Sequence, residues 1–175
     1  MHSAMTRLPN FRSLRVQYGR ALCLAVMSLA LMAGCATTNI QGTEIPDTEE
    51  NREVYDRVMD YRKAVETRDS DVLLGMTSRD YFENASTTDN SRDDYGYTEL
   101  RDTVIPKFRD HVAEVQFRIL MRRIEVDGDR ANADYEYYYN VRYLEGGVSA
   151  WKPRNDFNRL DFVREDGVWR ISGGL

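Results

Sequence analysis

Residues 112–144 read VAEVQFRILMRRIEV, then DG, then DRANADYEYYYNVRYL, two long runs either side of Asp127-Gly128. In the second run Ala131, Ala133, Tyr135, Tyr137, Tyr139, Val141 and Tyr143 share one parity. Asn132, Asp134, Glu136, Tyr138, Asn140 and Arg142 share the other, the period-two pattern of a half-buried strand. The tyrosine side is therefore the core side. In the first run Val115, Phe117, Ile119 and Met121 keep one parity, whereas Ile124 and Val126 keep the opposite one. One extra residue at Arg122-Arg123, a β-bulge, returns both halves to one face. With a two-residue turn at Asp127-Gly128, Ile124 faces Ala131, Met121 faces Ala133, Ile119 faces Tyr135, Phe117 faces Tyr137 and Val115 faces Tyr139. On the outer face Arg118 stands beside Glu136, a favourable cross-strand charge pair. Runs this long, against a usual strand of about five or six residues, predict a strongly curved sheet with a concave, tyrosine-lined side.

The chain has 175 residues, 42% hydrophobic and 30% charged, enough for one domain with a substantial core. Its net charge of -5 conceals an asymmetry, because Arg7, Arg12, Arg15 and Arg20 are the only charges before Cys35. Without those four, 20 of the 24 basic residues face 29 acidic ones, a net of -9. With lysine only at positions 63, 107 and 152, no basic cluster suits a nucleic-acid partner. The cysteines, Cys23 and Cys35, both belong to the N-terminal apolar region, and His111 is the only histidine beyond it. The folded part therefore carries neither a disulfide pair nor a thiolate or histidine-cluster metal site. No cofactor is expected.

Residues 1–20 form a basic, acid-free leader, and residues 21–33 (ALCLAVMSLALMA) an apolar run of signal-peptide length, short of the roughly 20 residues a membrane span needs. The run ends in Leu31-Met32-Ala33-Gly34-Cys35, which resembles the lipobox of bacterial lipoproteins. Met32 stands where that family most often has Leu. The resemblance implies cleavage before Cys35, a diacylglyceryl thioether on its sulfur, and acylation of the new amine, palmitate being the expected acyl group. Two or more acyl chains on one residue suffice for stable anchoring. In the family, Asp after the Cys retains some lipoproteins at the inner membrane; Ala36 stands here, so the resemblance implies the periplasmic side of the cell outer membrane. The organisation expected is 1–34 signal peptide, 35–47 lipidated Cys and flexible tether, the latter suggested by Gly42 and Pro46, and 48–175 folded domain.

Within the domain, Asp47 and Glu50 have capping-box spacing, and a helix should start at about Thr48. Val54, Val58, Tyr61 and Val65 then form one helical stripe to about Thr67. Asp69 or Ser70 caps a short second helix carrying Val72, Leu73, Leu74 and Met76. The polar stretch 85–95 carries Asp89, Asp93 and Asp94, without the ligand spacing and closing Glu of a calcium loop. Thr98 opens a third helix with Leu100, Val104, Ile105 and Phe108; Pro106 should kink or split it, and His111 ends it in a position that suits a cation.

Residues 145–155 (EGGVSAWKPRN) read as a loop whose Trp151 covers the core. A second hairpin, 157–164 with 168–175 on Asp166-Gly167, pairs Phe162 with Ile171, Leu160 with Gly173 and Asn158 with Leu175, with Trp169 on the same inward face.

Three helices, a long bent hairpin and a closing hairpin ending Asp166-Gly167-Val168-Trp169-Arg170-Ile171 resemble the nuclear transport factor 2-like superfamily and its SnoaL-like branch over residues 48–175. The resemblance implies an α+β cone: N-terminal helices packed on a curved, mainly antiparallel sheet, often with a pocket between them. Members include isomerases, dehydratases, hydrolases and non-catalytic binding modules, so the fold leaves function open. Enzymes of this fold keep a carboxylate base inside the cone. Here strand parity puts no Asp, Glu or His inward away from the turns. The pocket candidates are Tyr61, Tyr135, Tyr137, Tyr139, Asn158 and Trp169, and no residue is assigned a catalytic role. Three readings stand: a non-catalytic module contacting an envelope protein partner, a binder of a small apolar ligand, and a SnoaL-like isomerase or lyase that would need Asp60, Asp134 or His111 turned inward with a tuned pKa.

Overall fold

The computed structural model describes residues 38–84, 94–143 and 151–175. The lipobox with Cys35, the candidate calcium residues Asp89 and Asp93, and the Gly146-Gly147 stretch lie outside them.

The first element is helix α1, Glu49–Thr67, capped by Thr48, whose hydroxyl accepts from the Asn51 N–H at 3.1 Å. Asp47 is the residue before the cap, and its carboxylate binds the Arg52 guanidinium instead. The expected stripe is buried: Val54, Val58, Tyr61 and Val65, joined by Ala64. At its other end Arg68 adopts a left-handed conformation (φ 54°), and the Arg68 and Asp69 N–H groups bond back to Val65 and Ala64, a Schellman-type stop. The Arg68 guanidinium also donates to the Val112 carbonyl, tying the helix end to the first long strand. Helix α2, Ser70–Gly75, is capped by Asp69.

Strands β1, Phe82–Glu83, and β2, Tyr95–Gly96, form a small ribbon. The third helical region is split, as Pro106 demands, and the break has a defined form. A short turn, α3 (Tyr97–Glu99), leads into a π-helical turn, Leu100–Val104, closed by the Ile105 N–H bonding to the Leu100 carbonyl; α4, Ile105–His111, follows with Pro106 in its first turn.

A four-stranded antiparallel sheet completes the fold in the order β3 (Val112–Asp127), β4 (Arg130–Tyr143), β5 (Trp151–Glu165), β6 (Val168–Gly173). The expected bulge is present, with Arg122 unpaired between Met121↔Tyr135 and Arg123↔Asp134. Ile124, Ala131, Ala133 and Tyr135 are all buried. The register is offset from expectation by two residues: Ile124 opposes Ala133, Ile119 opposes Tyr137, Phe117 opposes Tyr139 and Val115 opposes Val141. The cause is the turn. Gly128 and Asp129 are its central residues, with positive φ at Gly128 alone, the arrangement of a type II′ hairpin. Phe117 still touches Tyr137 diagonally, ring centroids 6.0 Å apart. Arg118 consequently opposes Tyr138 and stacks over its ring, while Glu136 pairs with Arg122.

Two further expectations are corrected. Strand β5 begins at Trp151, and Trp151 lies exposed on the outer face beside Arg142 rather than over the core. Phe162 opposes Ile171 as expected, but an extra residue at Ser172 sets Gly173 opposite Asp161, not Leu160. The edge of β6 is covered by the segment after α2: the Ile171 N–H bonds to the Met76 carbonyl, and the Ser78 N–H to the Ile171 carbonyl, which removes an open edge.

The core lies between α1 and the inner face of this sheet, with Val54, Val58, Leu160, Phe162 and Ile171 almost wholly enclosed. Residues 38–47, expected to be tether, are part of it. Ile40 and Ile45 are buried across a turn at Gly42, and the Asp47 N–H bonds to the Thr38 carbonyl at 2.7 Å. The two isoleucines gain by burial what the polar residues around them do not signal.

Gly128 and Gly174 both hold positive φ, but a side chain at Gly128 meets open space, whereas a Cβ at Gly174 would stand 1.9 Å from the Arg159 carbonyl oxygen. Gly128→Ala should cost about 1–2 kcal/mol from the left-handed conformation alone. Gly174→Ala adds an overpacking cost of about 1–3 kcal/mol. Urea midpoints compare the two, and equal losses would contradict the enclosed position of Gly174.

Candidate functional site

The tyrosine parity of β4 and the stripe of α1 converge on one cavity of about 550 Å³. Helix α1 supplies Tyr61 and Val65, α2 Leu73, and the split helix Val104, Ile105 and Phe108. The sheet supplies Phe117 from β3, Tyr135, Tyr137, Tyr139, Val141 and Tyr143 from β4, and Lys152, Pro153, Arg154 and Asn158 from β5; Tyr95 and Leu175 complete the wall. Val104 ends the π turn and Ile105 opens α4, and both line the cavity just before Pro106.

Five of the six residues expected to face a ligand, Tyr61, Tyr135, Tyr137, Tyr139 and Asn158, line this cavity. Trp169 does not. It is buried in the core near the turn end of β6, its Nε1–H donating to Glu53 of α1 at 3.1 Å and its ring covered by Arg164. Parity gave its face correctly, but its place along the strand puts it beside the middle of α1 rather than at the cavity.

The aromatic rings pack edge to face. Phe117 lies 5.9 Å from Tyr61 at 89° and 5.7 Å from Tyr139 at 88°, geometries that match positive ring edges to negative faces. Beneath them runs a chain of polar groups. The Tyr61 hydroxyl lies close to that of Tyr135. Asn158 Nδ2 donates to the Tyr135 hydroxyl at 3.2 Å and to the Gly174 carbonyl at 3.0 Å. With Asn158 donating to it, the Tyr135 oxygen keeps its own proton without an acceptor among the described residues.

Burial dominates the proton affinities of these phenols. It pushes Tyr61 well above the ordinary tyrosine value, Tyr135 up to about 12 despite the hydrogen bond from Asn158, and Tyr139 up to about 12. They are protonated donors at neutral pH and poor bases.

The three residues an acid-base mechanism would recruit are elsewhere. Asp60 is largely exposed on the far side of α1, near Arg57. His111 is exposed at the end of α4, its Nδ1 donating to the Lys107 carbonyl at 2.9 Å. Asp134 lies on the outer face of the sheet between Arg159 and Arg123, whose hydrogen bonds, Arg159 foremost, hold its carboxyl below the usual range. Among the described residues, no Asp, Glu or His lines the cavity. Among the described residues no group of His, Cys, Asp and Glu is placed to hold a metal ion.

Lys152 and Arg154 are the functional candidates that sequence reasoning missed. Their parity with Asn158 was available, but Gly146-Gly147 and Pro153 suggested a loop. The strand tolerates Pro153 because β6 pairs with β5 only from Asp161 onward; the Trp151–Leu160 half has one free edge, where a missing N–H costs nothing.

An α+β cone with helices packed on a curved antiparallel sheet around an interior cavity is the fold of nuclear transport factor 2-like proteins. A nuclear transport factor 2-like superfamily protein from Salmonella enterica serovar Typhimurium superimposes with a TM-score of 0.55 at 12% identity, covering 70% of this chain and 86% of that one. A ketosteroid isomerase-like protein from Erwinia carotovora atroseptica gives 0.57 at 14% identity, covering 73% of this chain and 94% of that one. A protein from Planctomyces limnophilus gives 0.60 at 16%, covering 71% and 92%. At these identities the likeness is one of fold. No protein-family model matches the sequence, and no curated protein does.

Because the native state holds the phenol protons of Tyr135 and Tyr139 up to about pH 12, while an unfolded tyrosine releases its proton near 10, the unfolded chain binds fewer protons in between. Stability should be unaffected by these groups below about pH 10 and fall as pH rises through 12. Urea unfolding at pH 8, 10 and 11 reads this slope. Tyr135→Phe should flatten it, and an unchanged slope in that variant would contradict the burial of the Tyr135 hydroxyl.

Proposed function

We propose that this chain is a lipid-anchored binding protein of the cell envelope, whose nuclear transport factor 2-like domain holds a small, largely apolar molecule in the tyrosine-lined cavity without acid-base chemistry. One observation carries the reading: a cavity of about 550 Å³, inside the usual range for small-molecule sites, is walled by aromatic side chains and, among the described residues, lined by no carboxylate or imidazole. The phenols offer oriented donors, and the rings offer area with little conformational entropy to lose. Fold alone favours neither catalysis nor binding, since a ketosteroid isomerase-like protein shares it. The absence of a placed base at the cavity favours binding.

Anchoring is supported by the leader, the thirteen-residue apolar run and Ala33-Gly34-Cys35 in working order. Ala36 after the cysteine supports the outer membrane, periplasmic side. No helix among the described residues is long and apolar enough to cross a membrane. Only Ala36 and Thr37 separate Cys35 from the folded Thr38, so the domain would be held close to the lipid surface rather than on a long tether.

Two measurements test the two halves. Cell fractionation of wild type and Cys35→Ser should move the protein from the membrane to the soluble periplasm; a wild-type mature protein whose first residue is not a lipidated Cys35 would contradict anchoring. The neutral dye N-phenyl-1-naphthylamine should brighten on titration into the domain. Val104→Trp, which places an indole in the cavity from its wall, should weaken that binding by about tenfold or more, the scale of losing apolar burial worth roughly 1.5–3 kcal/mol. Equal brightening by both proteins would show that the dye binds elsewhere and would overturn the reading.

A further inference from the structure

The cavity's polar groups are sorted by place and by sign. Hydroxyl donors lie along its wall, and cations stand at its β5 rim. Lys152 and Arg154 occupy alternate positions of β5, opposite Val141 and Tyr139, on the face that carries Asn158. The Lys152 ammonium lies 5.0 Å from the Tyr143 ring centroid and makes no ion pair among the described residues. Arg154 is paired with Asp156 at 3.2 Å, both exposed, the type of surface pair that contributes little and yields readily to a competing anion.

The wall points the same way. The hydroxyls of Tyr137 and Tyr139 make no hydrogen bond to another described residue, and burial keeps Tyr139 protonated, with its pKa pushed up to about 12. Tyr135 has its own proton to offer. The lining thus presents O–H donors and positive charge, and among the described residues the only carboxylate beside the rim cations is Asp156, paired with Arg154, in a chain whose net charge is -5. A low-dielectric cleft bearing one sign of charge concentrates that potential at its mouth. Such a lining discriminates against amines and does nothing for a plain hydrocarbon; it suits a molecule with an apolar body and one anionic acceptor group.

We infer that the cavity takes an amphipathic monocarboxylate, its aromatic or alicyclic body among Tyr61, Phe117, Tyr135 and Tyr137 and its carboxylate at the rim by Lys152. This rests on the binding reading above and names its ligand class. The body gains by leaving water, the carboxylate finds a cation that has no ion-pair partner among the described residues, and the tyrosine hydroxyls supply donors that shorten and strengthen when the acceptor is charged.

A matched pair of probes separates the two claims. 2-Naphthoate and 2-naphthamide have the same body and differ in charge, and calorimetry at pH 7 and low salt gives both affinities with the folded domain. The naphthoate should bind about tenfold more tightly, and the advantage should shrink as salt is raised. Lys152→Gln should cut the ratio by about fivefold, the upper range for one exposed charge pair, and Lys152→Glu should invert it, while affinity for the amide stays unchanged. Lys152 is exposed, so neither variant threatens the core. If both probes bind equally, and Val104→Trp weakens both, the cavity is a binding site and the anion inference is overturned. If neither probe binds, the binding reading itself falls and the inference with it. A naphthoate preference that survives Lys152→Glu overturns the assignment of the rim.

Discussion

The extra residue at Arg122 decides which side of the sheet becomes an interior. Without it, β3 would carry Phe117, Ile119 and Met121 on one face and Ile124 on the other, and no register against β4 would bury both. With it, the whole strand presents its apolar side to the same side as Tyr135, Tyr137 and Tyr139. A bulge also bends the strand and increases its twist, so the local repair that unites the apolar face helps to curve the sheet around α1. The cavity is the space left where that face is lined by rings too large to close completely on the helix.

Helix and sheet are then joined by polar contacts on either side of that space. Towards its floor, Tyr135, Asn158 and the Gly174 carbonyl form a chain from β4 through β5 to the residue after β6, with Tyr61 of α1 close to the Tyr135 hydroxyl. Towards the other end of α1, Glu53 accepts from Trp169 and pairs with Arg164. Buried polar chains of this kind are stabilising only when their members are satisfied, and here the satisfied ones fix the positions of two rings that also line the cavity. Rigidity of the site and stability of the fold share the same atoms, which is why tyrosine titration should be felt in unfolding.

Much of this was legible in sequence because alternation survives errors of register. A shift of two residues leaves every side chain on its own face; the true turn at Gly128-Asp129 changed every partner in the hairpin and removed no residue from the core. The same property explains why Tyr135, Tyr137, Tyr139 and Asn158 were placed at the cavity wall despite incorrect pairings, while Tyr61 came from the helical stripe of α1. What alternation does not encode is position along the strand, hence the misplacement of Trp169, or the length of an edge strand that begins with polar residues and Pro153. Ile40 and Ile45 were missed for a related reason: two apolar residues flanking Gly42 make no period, yet a short turn brings both onto the core.

The central claim is that the tyrosine face encloses a ligand-binding interior, and the rings themselves can report on it. In protein labelled with carbon-13 in the tyrosine rings, titration with a neutral naphthalene probe should shift the signals of Tyr61, Tyr135, Tyr137, Tyr139 and Tyr143 together and saturably. Tyr138, on the outer face of the same strand, should stay where it is. A probe that moves Tyr138 while leaving Tyr135 and Tyr137 unchanged would place binding on the wrong side of the sheet and contradict the account.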